Sequence, residues 1–400
     1  MESSHLIGKI ILEKFLKIVG WVLGSLVAVL VILSALFAYW YLRPNRAHVD
    51  TGVVTDSWDI ANDGMHNSNT DMIEWQGKFY ISYVSSPFHF GSVKSVLHVK
   101  VSTDVGHKWL EVNNFSPYGE DIRDPKFAVI GDRLFLYALK NTSFVAEPYI
   151  TVYSYTEDGA KWTSFTTVPG LDGWLFWRPK TQDGVTFYNA AYWFQHDRSV
   201  LLKSTDGINW QIISTIHSGD RNDETEIQFL PDGRLLATAR LEYGGFADGA
   251  FGDPRGATLI TISAPPYTAW TDQMQSRLTR LDGPYLFTYH DRIYAVGRYQ
   301  PDLGHSGLLT AQGSVLARKR TTLFEVRTDG LAYLTDLPSA GDTSYTGVVI
   351  AEDTAYISYY TSPIDRDYSW ILGMLTPSAV RMAKVDLLAL EALANQAPSR

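Results

Sequence analysis

Hydrophobic and polar positions fall into two regimes along the 400 residues. Residues 18–42 carry no charge, and nearly every position from Val19 to Leu42 is apolar. About 20 such residues span a bilayer as a helix, whereas the apolar core of a cleaved signal peptide runs only about 7–15. Trp21 near one end and Tyr39, Trp40 and Tyr41 at the other suit the two interfaces of a membrane. The pattern predicts a transmembrane helix over 18–42. Residues 1–17 read as a short amphipathic segment, with Ile7, Ile10, Ile11, Leu12, Phe15 and Leu16 on its apolar side. Lys9, Lys14 and Lys17 precede the span and Arg43 and Arg46 follow it, a three-to-two bias toward a cytoplasmic N-terminus. The remainder is then expected outside the cytoplasm.

Past a linker at 43–57 the pattern changes to short strands. A turn containing Gly or Asp, followed by a strand rich in Tyr, Phe, Leu and Ile, recurs six times: WQGKFYISYVSS (75–86), IGDRLFLYALKN (130–141), QDGVTFYNAAYW (182–193), LPDGRLLATARL (230–241), YHDRIYAVGRYQ (289–300) and AEDTAYISYYTS (351–362). Each copy follows a short apolar strand, so each predicts a hairpin. A spacing of roughly 50–60 residues falls in the range of propellers and other repeat arrays. Long helical periodicity is absent from 60 to 375; Leu387, Leu388, Leu390 and Leu393 predict a short helix within 386–400.

A second motif falls between the hairpins. Ser102-Thr103-Asp104-Val105-Gly106-His107-Lys108-Trp109 is followed by the shorter Thr156–Trp162 and Ser204–Trp210 forms, with Arg327–Gly330 a degenerate fourth. Asp104, Asp158 and Asp206 would bond backbone N–H groups across a turn, Gly would supply a positive φ, and Trp would pack between strands. These turns resemble the Asp-box of the sialidase (neuraminidase) superfamily. The resemblance implies an all-β fold, a six-bladed propeller of four-stranded antiparallel blades around a channel, over 58–385. It gives the three aspartates a structural role.

Composition narrows the chemistry. The net charge of −9 argues against a phosphate-binding surface, so no nucleic-acid partner is expected. There is no cysteine, which excludes disulfides, thiolate metal sites and a thiol nucleophile. Aromatics at 13% favour β-structure and sugar-stacking surfaces. Aligned on their turns, the repeats put Thr70/Asp71, Asp124, Trp177/Arg178, Glu226, Pro284/Tyr285 and Tyr345/Thr346 at the start of the innermost strands, ringing one channel mouth. Converging charges of this kind mark a site; alternatively, Arg178 pairs with Asp124 or Glu226 and plugs the channel.

The segment Asp223–Arg240 resembles the sialidase glutamate strand, a glutamate followed by L-x-D-G-x-L and an arginine. By that resemblance Glu226 is the base and Arg240 one arginine of a carboxylate-binding triad. Asp342–Ile350 resembles the segment of the nucleophilic tyrosine, giving Tyr345 that role, and Arg320 or its competitor Arg298 fits another triad position. Asp124 is the remaining candidate for general acid, with Arg178 and Asp71 as substrate contacts. A tyrosine suits a sugar bearing an anomeric carboxylate, which would repel a carboxylate nucleophile and is gripped bidentately by arginine.

The first half departs from that family. Its opening strand, 65–75, holds no arginine, and the loop 85–92 holds no aspartate. Asn67–Pro87 and Arg123-Asp124-Pro125 instead resemble motifs of the five-bladed furanosidases, which would make Asp71, Asp124 and Glu226 a catalytic set. The reading is a membrane-anchored glycoside hydrolase acting on an extracytoplasmic glycan, with no cofactor and no metal. A non-catalytic sugar-binding propeller and a scaffold propeller are the alternatives.

Overall fold

The structure, a computed structural model, describes residues 2–42, 46–104, 106, 108–244, 249–301 and 311–398. The chain forms two compact units that divide between residues 45 and 46. The first is a single α-helix, Glu2–Leu42. Its stretch Leu12–Tyr39 has a mean hydropathy of 2.5 with none of it buried, and is long and apolar enough to cross a membrane. Arg43, used in the orientation reading, lies outside the described residues, as do Val105 and His107 of the first turn motif.

In the second unit the described strands form six antiparallel sheets, each a consecutive stretch of chain except the last. The unit is a six-bladed β-propeller. The innermost strands of blades I to VI are His66–Trp75, Asp121–Ile130, the broken pair Trp174–Phe176 and Lys180–Thr181, Asn222–Phe229, Asp282–Tyr289, and Thr343–Ala351. Blade VI is completed from the other end of the chain: Val54–Ala61 pairs with Ala379–Asp386 as the outermost strand, with Trp58 opposite Met382. Ordered β-structure thus begins inside the segment expected to be a linker. The helix Leu387–Ala394 follows at once, capped by the Asp386 carboxylate accepting the Ala389 N–H at 2.9 Å, and buries Leu387, Leu390 and Ala394.

The turn motifs sit between the third and fourth strands and lock neighbouring blades together. Asp206 accepts the Ile208 and Asn209 N–H groups, both at 2.8 Å, and Asp158 accepts those of Ala160 and Lys161 at 2.9 and 2.8 Å. Asp104 takes the Ser102 hydroxyl at 2.7 Å. All three aspartates are exposed at outer turns. Trp210 reaches from blade III into the blade II–III core, 5.4 Å from the Phe176 ring and 6.2 Å from Tyr137. Gly207 has φ +75°, and a Cβ there would meet Ile130 at 2.7 Å, so this turn needs glycine twice over.

One irregularity repeats around the ring. Near its start each innermost strand carries one more residue than its partner. Residues 69–70, 124–125, 223–224, 283–284 and 345–346 each oppose a single residue, and 177–179 oppose two. Such bulges end regular pairing and re-aim side chains. Asn69, Asp124, Gly283 and Tyr345, each first in its bulge, have φ of 51°, 51°, 62° and 49°. The non-glycine cases are strained, and strain held by the surrounding fold clusters at functional sites.

Candidate active site

The bulges divide the charged ring into two layers. Above them opens a pocket of about 280 Å³ whose lining includes Asn69, Asp124, Glu224, Arg240, Arg298 and Tyr345. Below them the channel is blocked by a plug, beyond which Asp71 and Arg178 help to line a second pocket of about 250 Å³. Arg178 donates to Asp71 at 2.9 Å, to Glu226, and to the Thr346 carbonyl at 3.2 Å, and its guanidinium lies 4.0 Å from the centre of the Tyr285 ring. Asp71 also accepts the Phe127 N–H at 2.6 Å. Arg178, Asp71 and Glu226 are therefore a buried plug, and none of them lines the pocket that holds Tyr345 and Glu224.

The carboxylate beside Tyr345 is not the one the sequence pointed to. The Tyr345 hydroxyl donates to Glu224, not to Glu226. Glu226 lies two residues further along the strand, about 7 Å deeper. Glu224 is held on both oxygens: one accepts the Tyr345 hydroxyl, and the other accepts the Gly283 N–H at 2.6 Å and pairs with Arg240 at 3.0 Å. Burial pushes its carboxyl up to about 7, against the pull of Arg240 and with the push of Asp223 and Asp282. Burial and the adjacent Glu224 raise the Tyr345 hydroxyl well above its ordinary range, so the proton rests on the tyrosine.

The arginines sort as clearly. Arg240 faces the pocket, its far edge held by Asp223 with Nε at 2.7 Å. Arg298 donates to the Thr343 carbonyl at 2.8 Å, to the Tyr360 hydroxyl at 2.9 Å and to Asp342 at 3.3 Å, and lies 5.2 Å from the Tyr345 ring centre. Arg320 is fully buried, pairs with Asp367 at 2.8 Å and does not line the pocket, so of the two competitors only Arg298 reaches the site. Sequence reasoning missed Arg280, which lines the pocket from Asp282 at 3.0 Å and Glu242 at 3.1 Å. It also missed His196, whose Nδ1 is 2.9 Å from Asp223. Burial works against charge on that ring, and Asp223 outweighs it, raising the pKa.

Asp124 lines the pocket and accepts a hydrogen bond from the Asn69 amide. The furanosidase-like set does not assemble: Asp124 is in the pocket, while Asp71 and Glu226 lie in the plug beneath it. Gly283 lies under Tyr345, where a Cβ would meet the ring at 2.8 Å at a φ of +62°. Gly283→Ala is expected to cost on the order of 1–3 kcal/mol and to displace the tyrosine. Chemical denaturation of the variant, with an unchanged midpoint as the contrary result, checks this.

No protein-family model matches the sequence, and no curated protein matches it. Solved structures do. A protein of unknown function from Dyadobacter fermentans aligns with a TM-score of 0.58 at 14% identity, over 83% of this chain and 98% of that one. The phage phi92 endosialidase gives 0.58 at 11%, over 83% and 69%. A Trypanosoma rangeli sialidase in complex with 2,3-difluorosialic acid, a covalent intermediate, gives 0.56 at 12%, over 82% of this chain and 56% of that one. The fold is that of the sialidases. At these identities the likeness is one of architecture, and the residues must carry any argument about chemistry. On this sialidase-type propeller blade I sends Asn69, not an arginine, to the pocket floor. The loop after its first hairpin sends His89 and Phe90 to the wall.

Proposed function

We propose that the protein is a membrane-anchored glycoside hydrolase that cleaves a glycoside of an acidic sugar by way of a tyrosyl intermediate. The observation that carries this is the Tyr345–Glu224 hydrogen bond at the floor of an open pocket. A nucleophile within reach of its base is the geometric requirement of covalent catalysis. Tyr345 Oη attacks the anomeric carbon as its proton passes to Glu224. The bond to the leaving alcohol breaks, and that oxygen takes a proton from Asp124. Water then attacks the anomeric carbon, giving a proton to Asp124, which now acts as base; the bond to Tyr345 Oη breaks, and Glu224 returns its proton to that oxygen. Arg240, Arg298 and Arg280 face the substrate carboxylate. The helix Glu2–Leu42 would hold the propeller at the outer face of a membrane, N-terminus inward.

The test is a panel of aryl glycosides offered to the full chain in detergent. Hydrolysis is expected of glycosides of 2-keto sugar acids and not of neutral furanosides or hexosides. Cleavage of the neutral sugars alone would overturn the reading. The ionised form of Glu224 is the one that can take a proton. kcat/KM should therefore rise as pH climbs through about 7, and Glu224→Gln should abolish that limb. A pH profile falling across this range would contradict the assignment.

Asn69, on blade I where no arginine is supplied, favours a second reading, a propeller that binds a glycan without cleaving it. It predicts no turnover of any glycoside, and binding that survives Tyr345→Phe.

A further inference from the structure

Beside the pocket, three residues that the proposed reaction does not use converge. His66 lies on the innermost strand of blade I, His89 on the loop after that blade's first hairpin, and Asp342 just before the innermost strand of blade VI. His66 Nε2 is 3.1 Å from Asp342 Oδ2, and His89 Nδ1 is 2.7 Å from the same oxygen. The His66 and Asp342 side chains are wholly buried, and that of His89 is 12% exposed. Direction matters as much as distance. None of the three atoms makes an aligned hydrogen bond. The ring nitrogens point beside the carboxylate oxygen, not along a line to it. Buried polar atoms this close, with no aligned partner, are costly unless something else satisfies them.

The far side of each group is already fixed. His66 Nδ1 lies 2.8 Å from the Thr376 carbonyl. A carbonyl only accepts, so Nδ1 carries a hydrogen, and in the neutral ring Nε2 turns a lone pair into the cluster. Asp342 Oδ1 accepts from Trp370 Nε1 at 2.8 Å, the Tyr360 hydroxyl at 2.9 Å and Arg298 at 3.3 Å. A backbone carbonyl behind the imidazole and donors behind the carboxylate are the supports that orient metal ligands.

We propose that His66 Nε2, His89 Nδ1 and Asp342 Oδ2 bind one divalent transition-metal ion of the zinc class. Two imidazoles and one carboxylate suit zinc, while calcium and magnesium favour oxygen ligands. Three protein ligands are the number found in sites that keep a position open. The ion ties the first blade to the last, where the ring closes. Through Asp342 it also fixes Arg298 in the pocket wall. The sequence reading named no metal ligand: residues 66, 89 and 342 have no motif spacing and meet only when the ring closes.

The test uses the full chain in detergent, free of any polyhistidine tag, stripped with a chelator and titrated with zinc chloride by calorimetry. One equivalent per chain is expected, with a rise in melting temperature, and calcium chloride should give neither. His89→Ala changes a loop residue, and should weaken zinc binding by more than the roughly 100-fold that loss of a supporting partner costs, while the circular dichroism stays that of the wild type. His66 is buried deeply enough that its variants can misfold, so cobalt(II) bound to the unaltered chain supplies the second measurement. A visible spectrum of low-symmetry coordination by nitrogen and oxygen, displaced by zinc, supports the site. Substoichiometric zinc, equal uptake of calcium, or unchanged affinity in His89→Ala would each overturn it.

Discussion

Tyr345→Phe should abolish turnover while leaving the propeller folded. The ring keeps its packing against Trp177 and Tyr360, whose centres lie 6.2 and 6.4 Å away. Only the hydroxyl and its bond to Glu224 are lost. A buried hydrogen bond of that kind is worth about 1–2 kcal/mol, a modest shift in a denaturation midpoint. The reaction loses its attacking atom, and kcat should fall by about three orders of magnitude or more. Steady-state kinetics alongside denaturation separates the two effects. Full turnover by the variant on any substrate that the wild type cleaves would end the tyrosyl mechanism.

The second large effect is a reversal between two glutamates two residues apart. Glu224→Gln removes the proton acceptor under Tyr345 and should cost about 10²–10⁴ in kcat/KM, the usual worth of a general base. Glu224 is buried, but burial already works against its charge and Arg240 keeps Asp223 as a partner, so stability should change little. Glu226→Gln should do the opposite. Arg178 would keep Asp71 but lose one of its two buried carboxylates, at a cost of about 1–3 kcal/mol. Activity per folded molecule should stay within about tenfold of the wild type. Equal kinetic damage from both changes, or damage from Glu226→Gln alone, would restore Glu226 as the base.

Much of the architecture was legible because it is written in local chemistry. Turns such as Gly131-Asp132 and Asp232-Gly233 need a residue that tolerates positive φ, so the six hairpins can be counted without knowing how they meet. The closing strand Val54–Ala61 could not be counted that way. Its partner is some 320 residues away, and nothing near it marks a hairpin. The pocket was half legible. Tyr345, Asp124, Arg240 and Arg298 were named and do line it. Glu226 was named from its place before the L-x-D-G turn and from alignment on the turns, which assumes regular pairing back to the start of each strand; the bulges break that assumption. A signal did exist: Pro125, Pro179 and Pro284 all lie within irregular stretches of innermost strands. Proline cannot donate to a ladder, so prolines recurring there mark interrupted pairing. Arg320 misled for a simpler reason. Arg298 and Arg320 sit on adjacent strands of blade V, and only the shape of the fold decides which guanidinium meets the pocket and which meets Asp367.

The central claim is that Tyr345 becomes covalently bonded to the sugar, and trapping tests it most directly. The full chain would be incubated with 2,3-difluorosialic acid, whose fluorines slow release of a glycosyl intermediate, then digested and mapped by mass spectrometry. One added glycosyl group on the peptide containing Tyr345, absent from Tyr345→Phe and slowed in Glu224→Gln, is the expected result. A glycosyl group on Asp124, Glu224 or any other residue, or an unmodified Tyr345 in protein that hydrolyses the matching aryl glycoside, would contradict it.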